Sequence, residues 1–227
     1  MAGAFWGARQ SLDDEPSAAS SRLHAKKKTL GASERQEAER AAWREQMREV
    51  DASRLVIVDE TGSNLGLTPL YAWAQRGKRA YGSAPRNYGK NTTLLASLSL
   101  EGMGAAMILE GATDTLAFEC YVKQILAPSL QPGQIVVLDN LSSHRSATVR
   151  QAIEARGCQL WFLPAYSPDL SPIEEAFSKL KSIVRRLAAR TREALVEALA
   201  QALEQITPQD ALGYFTSCGY VSAAQEA

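Results

Sequence analysis

The amino-acid sequence predicts an α/β domain in three layers, a mixed β-sheet covered by helices. Short apolar runs rich in β-branched residues, "RLVIVDETG" and "GQIVVLDN" among them, end in a carboxylate and a turn signal. Strands come first and then alternate with helices, an order that gives a mixed sheet flanked by helices. At 227 residues the chain is long enough for one sizeable core.

The elements follow in order. Residues 1–32, rich in Ser and Ala, read as an irregular segment ending in the basic "AKKKTL", either a solvated linker or a DNA contact. Residues 33–50 hold a polar helix, "SERQEAERAAWREQMR", with Ser33 as its N-cap and Arg and Glu at helical spacing. The domain proper is expected over 51–221, with a short tail at 222–227. It opens with the strand "RLVIVDETG". "LYAWAQRGKRAYG" reads as an aromatic-bearing strand and turn, and "NTTLLASLSLEGMGAAMIL" as two strands about Glu101-Gly102. "DTLAFECYVKQILAPSL" has helical periodicity up to Pro128, and "GQIVVLDN" is a buried strand. "SATVRQAIEARG" is an amphipathic helix closed by Gly157, and "CQLWFLP" a strand whose Trp161 and Phe162 read as core. Helices are then expected from about Ser171 to Ala189, from Thr191 to Ile206, and after Pro208.

Composition excludes several classes. No apolar run approaches the roughly 18 residues of a membrane helix, and the N-terminal apolar stretch is too short for a signal peptide. Cys120, Cys158 and Cys218 are far apart and odd in number, so they read as small buried side chains in a reducing cytoplasm. Charge balances at 25 basic and 25 acidic residues, but it is segregated. From Thr61 to Leu100 there is no acid, while Arg76, Lys78, Arg79, Arg86 and Lys90 fall there. From Ala176 to Arg192 there is again none, against six bases that include Lys179, Lys181, Arg185 and Arg186. Such runs form either a solvated helix face or a basic surface for nucleic acid.

In open α/β sheets ligands bind beyond the carboxyl ends of strands. Asp59 in "LVIVDE" and Asp139 in "IVVLDN" stand there. A single strand-end Asp can merely cap a turn, but two on neighbouring strands repel unless a cation lies between them. Oxygen ligands with few histidines select Mg²⁺ or Mn²⁺. A third carboxylate comes from "LPAYSPDLSPIEEAF". Pro164, Pro168 and Pro172 restrict the loop, Ser171 is a natural N-cap, and Glu174 falls in the first helical turn. Ser171 and Glu174 also have capping-box spacing, and Glu175 rivals Glu174 as the ligand. Asp169 reads as an Asx-type ordering residue of the loop. "YGKNTTLL" is rejected as a phosphate loop, because Asn91 stands where Ser or Thr is needed and a strand follows.

"VDETG", "VVLDNLSSH" and "FLPAYSPDLSPIEEAFSKLK", in this order, resemble the DDE transposases of bacterial insertion sequences related to mariner elements, above all the insertion-sequence family numbered 630. The resemblance covers about Lys26 to Val221, and 34 residues separate Asp139 from Glu174, a spacing typical of that superfamily. It implies a ribonuclease-H-like fold on which Asp59, Asp139 and Glu174 form a triad holding two Mg²⁺ or Mn²⁺ ions. Asn140, His144, Pro168, Asp169, Pro172 and Ile173 match the family pattern; Ser171 replaces its usual Asn. Family members usually begin with a helix-turn-helix region, and residues 1–25 do not resemble one.

The implied activity is metal-dependent cleavage of DNA at element ends and strand transfer into target DNA. The expected partners are double-stranded DNA, a second copy forming a homodimer on DNA, and a helix-turn-helix protein from an upstream frame. His144 touches the scissile phosphate or is a structural His. Lys179, Lys181, Arg185, Arg186, Arg79 and Lys90 are the expected backbone contacts. Two alternatives remain: a nuclease of the same fold without strand transfer, and a non-catalytic DNA-binding remnant.

Overall fold

A run of alternating apolar residues needs strands on both sides to satisfy its backbone, and the sheet supplies them. The computed structural model describes residues 32–220, so "AKKKTL", the 1–31 segment and the 221–227 tail lie outside it. Five strands are ordered β3-β2-β1-β4-β5. They are β1 (Leu55–Ser63), β2 (Thr92–Ser99), β3 (Gly102–Glu110), β4 (Ile135–Leu138) and β5 (Gln159–Phe162). β1, β2 and β3 form an antiparallel meander, while β4 and β5 add in parallel beside β1. The expected mixed sheet is therefore present. β1 is its central strand and pairs with β2 on one side and β4 on the other.

Side chains on a strand alternate between faces. Leu55 and Ile57 enter one core cluster and Val56 and Val58 the other. The first core is covered by α1 (Glu37–Arg48), α5 (Pro172–Leu187), α6 (Arg192–Glu204) and α7 (Pro208–Ser217). The second is covered by α2 (Thr115–Tyr121) and α4 (Ala147–Glu154). A π-helical turn over Val122–Leu126 and a single turn, α3 (Ala127–Ser129), continue α2 past Pro128. α5 buries Ile173, Phe177, Leu180 and Val184 along one stripe, and ends where Ala188 turns left-handed at φ 49°.

Three expectations are corrected. Residues 70–82 form no strand: the segment from 64 to 91 has no regular element, and Tyr71, Trp73 and Tyr81 are exposed rather than paired. Helix α1 begins at Glu37, its N-cap is Gln36 rather than Ser33, and it is not polar all round. Arg40, Trp43 and Met47, at i, i+3 and i+7, are buried. Cys120 is exposed, Cys158 buried and Cys218 half-buried; all three are free thiols.

Candidate active site

The register of β1 and β4 brings the two aspartates together. Ile57 pairs with Val137. Asp59 and Asp139 each follow two residues later, hence at one level and on one face. That face carries Leu55 and Ile57 and packs against α5. Glu174, in the first turn of α5, approaches from there. Asp59, Asp139 and Glu174 line one cavity of about 340 Å³, closed by the loop from Leu163 to Ser171. The capping box at Ser171 does not form: the Ser171 side chain makes no cap bond, and the Glu174 amide reaches the Ser171 carbonyl at 3.1 Å. Glu174 therefore keeps its carboxylate for the cavity. The rival Glu175 instead accepts a hydrogen bond from the Ser217 hydroxyl.

The electrostatics are those of an anionic pocket. Burial pushes the Asp59 carboxyl up to about 7, helped by the charges of Asp139, Glu174 and Glu60 and opposed by the Glu60 amide. That amide donates to Asp59 Oδ1 at 2.7 Å. Asp139 Oδ1 accepts from the Leu141 amide at 3.2 Å and contacts His144 Nδ1 at 2.5 Å, so Oδ2 carries neither bond. An all-oxygen donor set of clustered carboxylates fits a hard divalent cation. Among the described residues no three His, Cys, Asp or Glu side chains converge tightly enough to grip one ion. Asp59, Asp139 and Glu174 would therefore hold such a cation with water and substrate oxygens completing its coordination.

His144 is corrected as a phosphate contact. Its side chain is 0% exposed. The ring stacks on Phe118 with centroids 4.0 Å apart, and Nε2 lies 3.5 Å from Glu60 Oε2. Burial alone would push the imidazole down; its contacts with Asp139 and Glu60 outweigh this and raise it to about 9. Glu60 and Phe118 are site neighbours that sequence reasoning missed, although Glu60 follows Asp59 directly and β alternation sends it to the opposite face.

The expected backbone contacts separate. Lys179 is committed to Asp210 at 2.6 Å. Lys181 and Arg185 are half-buried and Arg186 exposed on α5, and none makes an ion pair among the described residues. Arg79 and Lys90 are exposed on the 64–91 segment, with Lys90 3.7 Å from Glu110. Arg190 fixes the base of that segment, donating to the carbonyls of Leu65 and Leu67 at 3.2 and 3.1 Å. Asp169 is also corrected. It makes no Asx turn, but is gripped by Arg35 and Arg40.

The family model for DDE superfamily endonucleases matches residues 54–196, the span from β1 to the first turn of α6. The chain belongs to the DDE superfamily endonucleases. In fold this DDE endonuclease is similar to a pre-cleavage Mos1 transpososome, with a TM-score of 0.66 at 17% identity over 88% of this chain and 65% of that one. It is likewise similar to the Mos1 mariner paired-end complex with Mn, at 0.62 and 19% identity over 90% and 65%. The Mos1 transposase catalytic domain with Raltegravir and Mg matches at 0.62 and 18% identity, over 87% and 94%. The fold is thus the ribonuclease-H-like α/β fold expected. The DDE endonuclease spans about two thirds of the Mos1 chain in the transpososome. No curated protein sequence matches it. Among its described residues, no helix is long and apolar enough to cross a membrane.

Proposed function

We propose that this DDE endonuclease is the catalytic domain of a bacterial insertion-sequence transposase related to mariner elements, of the insertion-sequence family numbered 630. It cleaves DNA phosphodiesters at element ends and transfers the strand into target DNA in the cytoplasm. The observation that carries this reading is the lining of one cavity by Asp59, Asp139 and Glu174, contributed by three separate elements. Support also comes from the fold shared with Mos1 complexes that include a strand-transfer complex.

In this reading Asp59, Asp139 and Glu174 would hold two Mg²⁺ or Mn²⁺ ions. Bound there, such ions would supply activation of the attacking oxygen and neutralisation of the leaving one. The remaining work belongs to the chain. Asp59 gives up its proton to become a ligand. His144, fixed by Phe118 and Glu60, holds Asp139 by one oxygen and leaves the other for ligation. The N-terminus of α5 directs partial positive charge toward the phosphate. Lys181, Arg185, Arg186 and Arg79 meet the DNA backbone, which sets affinity without sequence. A second copy completes a homodimer on DNA, and selection of the element ends falls to a separate helix-turn-helix protein.

The test is an assay of Mg²⁺-dependent cleavage of terminal-repeat DNA, and of joining of the released 3′-hydroxyl to a target, for the parent and for Asp139→Asn. The parent should cleave and join, and Asp139→Asn should do neither while remaining folded. Cleavage by Asp139→Asn at the parental rate would remove Asp139 from the site. Cleavage without joining by the parent would favour the nuclease of the same fold.

A further inference from the structure

We propose that Arg40 and Asp169 form a latch through which helix α1 positions the Glu174 carboxylate, so that a helix outside the family-matched span 54–196 is part of the catalytic machinery. Arg40 is 2% exposed. A guanidinium so deeply buried persists only where its charge is met. It donates from Nη1 to Asp169 Oδ1 at 3.1 Å and from Nη2 to Oδ2 at 2.6 Å, and Nε reaches Glu37 at 3.4 Å. Arg35 adds a contact on Asp169 Oδ1 and donates to the Tyr166 carbonyl at 3.3 Å. The pairing lowers the Asp169 carboxyl below its ordinary range.

A continuous run of backbone bonds leads from Asp169 to Glu174. The Pro168–Leu170 turn closes with Leu170 N to Ser167 O and Ser171 N to Pro168 O, both at 3.0 Å, and Glu174 N then bonds Ser171 O. A second hold acts on the same turn. Trp43, one helical turn beyond Arg40, donates to the Tyr220 hydroxyl at 2.8 Å, and that hydroxyl donates to the Leu170 carbonyl. The Ser171 side chain makes no cap of its own to fix this entry. The gripped loop also forms a wall of the cavity, through Tyr166, Ser167, Pro168 and Ser171. An apolar pair would hold α1 to the domain as well as a buried ion pair does, but two parallel bonds between planar groups also fix direction. Arg40 and Asp169 are thus positioning residues acting through the loop.

The inference rests on Glu174 being a metal ligand, and the experiment separates the two ideas. The 227-residue parent, Asp169→Asn and Arg40→Lys are compared by hydrogen exchange over residues 163–177 and by calorimetric titration with Mn²⁺. In both variants exchange in that segment should quicken about tenfold while β1 and β4 stay protected. The half-saturating Mn²⁺ concentration should rise by about tenfold. A purely stabilising contact would lower the melting temperature and leave the Mn²⁺ affinity of the folded protein unchanged; that result, or parental exchange in a folded variant, overturns the latch. A parent that binds no Mn²⁺ rejects the metal reading of the cavity, and the exchange data then judge the latch alone. Should Asp169→Asn fail to fold, Arg40→Lys, which keeps the charge and gives up the paired bonds, is read in the same way.

Discussion

His144 Nδ1 stands 2.5 Å from Asp139 Oδ1, and the imidazole that makes this contact is buried from solvent against Phe118. A histidine so placed is in position to orient the carboxylate and is shielded from a DNA backbone. His144→Ala should therefore raise the Mg²⁺ concentration needed for half-maximal cleavage by about 10–100-fold, the usual cost of losing an outer partner of a metal ligand. Its affinity for duplex DNA should not change. Cleavage titrations and fluorescence anisotropy decide this, and a variant that loses DNA affinity with normal Mg²⁺ dependence would restore His144 as a phosphate contact.

Asp59 predicts proton release on metal binding. Its carboxyl is raised to about 7 by burial and by the neighbouring carboxylates. Between its ordinary value and 7, the folded metal-free protein holds a proton that the unfolded chain does not. Stability from this group therefore falls as pH rises through that window. Calorimetry with Mn²⁺ in two buffers of different ionisation enthalpy should show protons released on binding, and more of them at pH 6 than at pH 8. Asp59→Asn should abolish the release. Equal buffer enthalpies for the parent would show Asp59 already ionised.

Lys179 and Asp210 tie α5 to α7, so their loss should be felt in stability and hardly in DNA binding. Asp210 also accepts from the Thr207 amide and hydroxyl at 2.9 and 2.7 Å. Lys179 and these bonds hold its carboxyl down at about 2. The folded value lies below the unfolded one, so the stabilisation is present above the ordinary carboxylate range and is lost as pH falls through about 2. Asp210→Asn should cost about 1 kcal/mol at pH 7, as for a lost cap, with the gap to the parent closing in strong acid. Melting curves against pH measure it, and a pH-independent gap would contradict the assignment.

Lys181 and Arg186 carry a different expectation. Changing both to Gln should weaken binding to terminal-repeat and scrambled duplexes equally. The slope of log K against log salt should fall by about two, one released counterion for each lost phosphate contact. A loss confined to the terminal repeat would mean that these side chains read bases.

That Asp59, Asp139 and Glu174 could meet at one cavity was legible because the signals are local. Two apolar strand runs end in aspartates, and a proline-stiffened loop enters a helix two residues before Glu174. Parallel pairing of β1 and β4 then makes equal strand-end positions equal in space. The failures are where a partner lies far along the chain. The aromatics of residues 70–82 resemble a strand, yet no neighbouring strand offers them a ladder, and Trp73 is fully exposed. "SERQEAERAAWREQMR" is so rich in charge that its buried stripe of Arg40, Trp43 and Met47 was hidden, because Arg40 is buried only by virtue of Asp169, 129 residues away. Loop chemistry at Asp169 suggested a local turn, and a distant guanidinium took its place.

In the proposed function Asp59, Asp139 and Glu174 make one divalent-metal centre. Crystals of the protein soaked in Mn²⁺ and measured at the manganese absorption edge test it directly. Two anomalous peaks about 3.5–4 Å apart are expected, with Asp59 between them and Asp139 and Glu174 each on one. Manganese bound without Glu174, or found only away from the Asp59–Asp139 pair, would contradict it.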